Sequence, residues 1–364
     1  MMIFILIIFI LTILLILFNK RAVPVFLYHQ VNPISSNVSP ELFEEHLKII
    51  KKYNMETITI SEYYNKNINK NSMLLTFDDG YYDNFKYVFP LLKKYNMKAT
   101  IFLNTLYIMD KREIEPEIKD NNTVNLEAMK KYIENGKATI NQYMSWEEIK
   151  EMCDSGLIDF QAHSHKHMAI FTNTKIEGLT KKDRMEAPEL YLYRELEDNY
   201  PIFAKRGEYS GKAKIIKKKF FNIFKNFYEE NIENKITDKN EILKKCQEFI
   251  DKNSECFSDE NEAEYKKRIE EDYLENKRLI EKNLGNQVKF FCWPWGHRSK
   301  ETIKILKELG VVGFISTKKG TNSMKPNWDM IRRIELRKYS PEKFKINLLV
   351  ARNLILGKIY GWIS

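Results

Sequence analysis

The strongest constraint on this 364-residue chain is an alternation. Short apolar runs at residues 22–28, 73–77, 99–103, 157–162, 288–292 and 311–316 are interleaved with stretches of helical spacing. Runs of roughly five to seven apolar residues are too short for buried helices and have the length of buried strands. Strands separated by helices pair through crossovers, which gives a mainly parallel sheet or barrel. Helix starts are marked as well. Ser39 followed by Pro40 places a cap before a proline at the first helical position, and the helix should run to about Tyr53. Ser145 and Glu148 form a capping box whose helix should stop at Gly156. Further helices are expected at about 81–95, 258–283 and 299–309, so the fold class is α/β.

The rhythm breaks between residues 171 and 257. That stretch is rich in Lys, Glu, Asn and Tyr and reads as a mainly helical insertion without a strong strand. Within it, residues 212–227 (KAKIIKKKFFNIFKNF) fit two descriptions, an interfacial amphipathic helix or a solvated helix that packs its Phe residues on the barrel. The amphipathic, basic segment 341–364 admits the same two. Residues 110–142 read as a polar stretch with no assigned element.

Residues 2–18 carry no charge and have about the length that crosses a bilayer. Lys20 and Arg21 follow, and no small-x-small cleavage pattern appears, so an uncleaved single-pass transmembrane anchor over 1–19 is expected. The net charge of +9 arises from 59 basic against 50 acidic residues, a mixed surface without a concentrated basic, aromatic-laced face. Nucleic acid is therefore not an expected partner. Cys153, Cys246, Cys256 and Cys292 show no C-x-x-C spacing and spell neither a zinc nor a disulfide framework.

Two motifs carry chemistry. Thr76-Phe77-Asp78-Asp79-Gly80 puts adjacent carboxylates at a strand end; such a pair is a surface turn, or else it is stabilised by a cation and serves proton transfer. His163-Ser164-His165-Lys166-His167 follows another strand and holds half of the six histidines. On a helical turn His163 and His167 share a face, and imidazole is a favoured zinc ligand. His165 points elsewhere.

Together these motifs resemble the polysaccharide deacetylase family, also called NodB homology or carbohydrate esterase 4. The resemblance implies Asp78 as catalytic base, and Asp79, His163 and His167 as ligands of a divalent metal, zinc by preference. The segment 290–296 (FFCWPWG) is similar to the family's third motif, although Cys292 stands where an Arg is usual. It matches the Phe-x-Tyr-Pro-Tyr-Gly form of the branch acting on exopolysaccharide poly-N-acetylglucosamine, with the Trp295 backbone N–H in the oxyanion role. Tyr28-His29 resembles the early Tyr-His pair of that permuted branch, making His29 the acid, and Arg333-Ile334 extends the match. The implied fold is a distorted (β/α)7-type barrel over 22–170 and 258–340. The implied function is metal-dependent hydrolysis of the N-acetyl amide of an N-acetylhexosamine glycan, by a domain outside the cytoplasm in the cell envelope. Trp146, Trp293, Trp295 and Trp328 are candidate sugar platforms. Alternative readings are an amide hydrolase of peptidoglycan or lipid-linked glycan, and a catalytically silent glycan-binding protein.

Overall fold

The computed structural model describes residues 21–34, 38–195 and 197–363, and from the start of the chain only residues 5, 7–10 and 12. The first half runs β1 (Val25–Tyr28), α1 (Pro40–Lys52), β2 (Ser72–Asp79), α2 (Phe89–Tyr95), β3 (Ala99–Leu103), α3 (Asn121–Asn135), α4 (Trp146–Asp154) and β4 (Ile158–Ala162). Then come β5 (Ala169–Leu179), α5 (Ala187–Tyr193), β6 (Pro201–Gly207), α6 (Lys219–Asn231) and α7 (Lys239–Lys252). The chain closes with α8 (Glu262–Leu284), β7 (Phe290–Cys292), α9 (Lys300–Glu308), β8 (Gly313–Ile315), β9 (Ile334–Glu335), α10 (Pro341–Ala351) and α11 (Leu354–Ile363).

The main sheet has the order β8-β7-β4-β3-β2-β1-β9, and its neighbours along this path are parallel. It is curled. Ile331 N–H donates to Phe314 O at 2.8 Å on β8, and Leu336 N–H donates to Leu27 O at 2.9 Å on β1, so residues 331–336 touch both ends of the sheet. Alternation along the strands then sorts side chains between two faces. Leu74, Phe102, Phe290, Cys292 and Ile315 share an inner cluster. Phe26, Leu75, Phe77, Ile101, Phe160, Phe291 and Phe314 face outward against helices such as α1, whose Phe43, Leu47 and Ile50 are buried. The caps are where the sequence places them: Ser39 Oγ accepts from Leu42 N–H at 3.2 Å, and Ser145 and Glu148 close a capping box.

Three expectations need correction. The segment expected to be a mainly helical insertion opens with strands, since β5 and β6 form an antiparallel pair with irregular register. One face of that two-stranded sheet is polar and solvated, so its composition resembles that of an exposed helix. Its other face joins a separate apolar cluster containing Phe171, Phe203, Phe220, Phe224 and Ile250. Phe220 and Phe224 of residues 212–227 are buried, but in this separate cluster of the insertion itself and not on the barrel. The polar stretch 110–142 holds α3, which buries Val124, Ala128 and Met129. Finally, the single-pass membrane anchor is not supported. Among the described residues no helix is long and apolar enough to cross a membrane. Most of residues 2–18, on which the expected anchor falls, lie outside the described residues.

Candidate active site and metal centre

Every chemical motif sits at the carboxyl end of a strand, where parallel α/β sheets place their sites. β2 ends in Asp78 and Asp79, paired in register with Phe102 and Leu103 of β3. Asp79 takes a left-handed backbone (φ 80°), followed by Gly80 at φ 84°. A side chain at Gly80 would be strained and would put its Cβ 2.9 Å from Leu103 Cδ2. β4 leads directly into His163, whose N–H donates to Leu103 O at 3.1 Å. In the loop beyond, Ser164 (φ 80°) and His167 (φ 56°) are also left-handed, a costly conformation for non-glycine residues that persists only where neighbours enforce it.

Helix α8 supplies that enforcement. Buried Asp272 accepts from His165 N–H at 2.9 Å, Lys166 N–H at 3.1 Å and the Tyr209 hydroxyl at 2.6 Å. One turn on, Asn276 Nδ2 donates to Leu103 O at 2.9 Å and Thr105 Oγ1 at 3.0 Å, and also to Ser164 O. His167 N–H closes the turn onto Ser164 Oγ at 2.8 Å.

The loop brings His163 and His167 to Asp79. The three ligand atoms lie within 4.8 Å of one another. Each imidazole Nε2 is close to Asp79 Oδ1, at 3.6 Å for His163 and 3.8 Å for His167. His163 Nδ1 faces the Cys292 carbonyl at 2.9 Å; a carbonyl only accepts, so Nδ1 carries the proton and Nε2 presents its lone pair. Burial pushes both imidazoles down to about 4, which leaves them neutral at pH 7. Asn104 Nδ2 donates to Asp79 Oδ1 at 2.8 Å and orients the carboxylate. Two neutral imidazoles and a carboxylate converging on one point fit a zinc-type divalent cation. A second cluster, Asp78 with His163 and Cys292, is as compact. It fits a cation poorly, because burial pushes the Cys292 thiol well up and both oxygens of Asp78 are engaged elsewhere.

Asp78 is engaged by Arg333. The guanidinium grips the carboxylate with two hydrogen bonds, Nη1 to Oδ1 at 2.7 Å and Nη2 to Oδ2 at 2.8 Å. Both side chains are sealed from solvent, Arg333 at 0% and Asp78 at 2% exposure. Burial alone would raise the Asp78 pKa, but the Arg333 charge, helped by His163, holds it well below the usual carboxylate range. Arg333 is itself fixed by Ser316 O (3.0 Å from Nε) and by the Cys292 sulfur (3.1 Å from Nη2). Cys292 thus sits where the third motif usually has an Arg, while an arginine from just before β9 reaches the same carboxylate. In the sequence Arg333 stands out only as part of an Arg-Ile pair. Its role was hidden because the contact spans 255 residues.

These groups open into a cavity of about 640 Å³ lined by Asp78, Asp79, His163, His167, His29 and Trp295 among others. His29, just past β1, has Nδ1 4.0 Å from Glu335 Oε1. Trp295 is left-handed (φ 60°), 46% exposed, and stands 5.2 Å from the His167 ring. Of the four candidate platforms, Trp146 and Trp293 are buried, and Trp328 packs on Tyr63, Tyr64 and Phe290. Trp295 alone among them is exposed at the mouth. The far wall comes from α3 (Asn121, Asn125, Met129) and from Met185 to Pro188 beside α5, none of which sequence reading placed at the site. His165 turns away to Thr105, at 2.9 Å.

Comparison with known proteins agrees with this geometry. The family profile described as polysaccharide deacetylase matches residues 65–205 and 216–314, well over half of the chain. A Bacillus subtilis (strain 168) protein named for polysaccharide deacetylation, YxkH, is 38% identical over 86 residues, 22% of this chain and 31% of its own length. The poly-beta-1,6-N-acetyl-D-glucosamine N-deacetylase of Staphylococcus aureus (strain MRSA252) is 26% identical over 181 residues, 49% of this chain and 52% of that protein. The chain therefore spans about half the length of these curated relatives, or less. Among solved structures, a de-N-acetylase from Aggregatibacter actinomycetemcomitans superposes with a TM-score of 0.58 at 16% identity, covering 90% of this chain and 99% of that one, which shows a shared fold. With the profile matched across both parts of the sheet, the chain belongs to the polysaccharide deacetylase family.

Proposed function

We propose that this chain hydrolyses the N-acetyl amide of an N-acetylhexosamine glycan of the poly-N-acetylglucosamine type and releases acetate, on a distorted (β/α)7-type barrel formed by residues 22–170 and 258–340. The observation that carries the reading is the division of labour between two adjacent carboxylates. Both oxygens of Asp78 are held by Arg333, and Asp79 is the carboxylate that faces both His163 and His167. In this reading Asp79, His163 and His167 hold a divalent cation, zinc by preference, which when bound supplies Lewis-acid polarisation of the amide carbonyl.

Asp78 serves as the base. Arg333 keeps it ionised at neutral pH; Oδ2 accepts from both Arg333 and the Cys292 thiol, while Oδ1 accepts from Arg333 and retains a second lone pair able to accept the proton of the attacking water. His29 delivers a proton to the departing amine, and Glu335 at 4.0 Å gives the imidazolium a counter-charge. The Trp295 backbone N–H donates to the developing oxyanion, and its exposed ring supplies a flat apolar face for a sugar. A catalytically silent glycan binder is suggested by Cys292 at the third motif's Arg position and by the large insertion; the pairing of Arg333 with Asp78 supports the hydrolase over it.

The test is acetate release from N-acetylglucosamine oligomers by the purified protein with zinc or with chelator. Release that stops with chelator and returns with zinc supports the proposal. Metal-independent release, or none from zinc-loaded protein, overturns it.

A further inference from the structure

Beyond Trp295 the cavity continues into a second groove of about 680 Å³, and the two share Trp295, Gly296 and Thr317 as lining residues. The second groove is lined by Arg206 from β6, Arg298, Lys300 at the start of α9, and Lys318 and Lys319 after β8. Its lining contains no carboxylate. The side chains of Arg206, Lys300, Lys318 and Lys319 are exposed, and none of them pairs with an acidic group among the described residues. Other surface lysines do pair with carboxylates, as Lys150 with Asp154, Lys245 with Glu241, Lys266 with Glu308 and Lys307 with Asp329. Arg298 is half-buried, bonded only to Gly296 O (3.4 Å) and the Met330 sulfur (3.3 Å). Burial and the nearby Arg332 lower its pKa, and the guanidinium stays charged at neutral pH.

Unpaired cations converging on a concave surface repel one another, and a cleft of one sign focuses its field outward to a ligand of the opposite sign. The α9 N-terminus, capped by Ser299, adds its positive end to the same groove. Resting on the deacetylase reading, we propose that this groove binds an oxyanion substituent, phosphate or carboxylate, carried by the glycan on a sugar beyond the one being deacetylated. The substrate is then a poly-N-acetylglucosamine-type glycan that carries an anionic substituent, with Trp295 at the boundary between the reacting sugar and its charged neighbour.

The test uses full-length wild-type protein under chelation, which in the deacetylase reading does not turn substrate over, and three probes in calorimetry: a neutral N-acetylglucosamine tetramer, the same tetramer bearing a terminal 6-phosphate, and one ending in glucuronate. The proposal expects at least one charged tetramer to bind about tenfold more tightly than the neutral one. In an Arg206→Gln, Lys318→Gln, Lys319→Gln variant, whose changes are at exposed positions, that advantage falls to within twofold while neutral-tetramer affinity is kept. Equal binding of all three, or an advantage that survives the variant, overturns the proposal. Inorganic phosphate is the fourth arm: phosphate binding lost in the variant, with no preference among the tetramers, marks a site for free phosphate and also overturns it. Failure of the deacetylase reading shows separately, as zinc-loaded wild-type protein that releases no acetate from any tetramer.

Discussion

Arg333 and Asp78 form a two-point ion pair across 255 residues of sequence, at 2.7 and 2.8 Å, in the sealed interior of the curled sheet. Removing one partner leaves a buried charge without compensation, a loss on the order of 3–5 kcal/mol. Arg333→Met is therefore expected to lower the midpoint of urea unfolding sharply. Combining it with Asp78→Asn should recover much of the loss, because the orphaned charge is then gone. The milder Arg333→Lys tests chemistry. Without the two-point grip, burial lifts the Asp78 pKa, so the acid limb of the pH–rate profile should move to higher pH. An unmoved limb would separate Arg333 from the base.

Asp272 and Asn276 touch no reacting group but hold the loop that carries both histidines. Asp272→Asn loses the charged acceptor for two backbone N–H groups. A zinc affinity lower by about 10–100-fold is expected, as for other outer partners of metal ligands, with acetate release restored at saturating zinc. Competition with a chromophoric chelator measures it. Unchanged affinity would mean that the left-handed backbone at Ser164 and His167 is held by other contacts.

His46 gives a pH-dependent stability. It is buried, with Nδ1 3.0 Å from the Tyr28 hydroxyl and Nε2 3.1 Å from Tyr339 O, stacked on Phe344. A carbonyl partner on one nitrogen and a hydroxyl on the other suit the neutral ring, and burial pushes its pKa down to about 4. The folded state then binds fewer protons than the unfolded state, whose histidine titrates near 6.5. Its contribution is complete above that pH and is lost as pH falls towards 4, in total on the order of 3 kcal/mol. His163 and His167 add a similar slope in metal-free protein, so the comparison is between wild type and His46→Gln under chelation. The variant should lose less stability from pH 7 to pH 4.5; equal losses would contradict the assignment.

Gly207 seats Trp295. A Cβ there would come 2.7 Å from Trp295 Cδ1 and 3.1 Å from Pro294 O. Gly207→Val should displace the indole and raise KM for oligomers several-fold more than it lowers kcat, because in the proposed reading the ring is a platform for sugar and not a partner of the reacting atoms. A change confined to kcat would tell against a platform role.

What was legible in the sequence is what local order encodes. Buried strands have to be short and apolar, and helix starts need caps, so β2 to β4 and the helices α1, α4, α8 and α9 could be read directly. Asp78-Asp79 and His163 to His167 stood out because unusual residues are adjacent in the chain. Arg333 was not legible as the partner of Asp78, since an arginine near a strand start has no local mark of its target. The β5–β6 pair was missed because a half-solvated two-stranded sheet carries as many polar residues as an exposed helix. Helix α3 was missed because only one narrow stripe, Val124, Ala128 and Met129, is buried.

The assignment of different tasks to neighbouring carboxylates is tested most directly by measuring bound zinc and acetate release together in Asp78→Asn and Asp79→Asn. The account predicts that Asp78→Asn keeps its zinc and loses activity by about 100-fold or more, on the scale of a missing general base, whereas Asp79→Asn loses the metal itself. Zinc lost from Asp78→Asn but kept by Asp79→Asn, or acetate release unimpaired in Asp78→Asn, would contradict it.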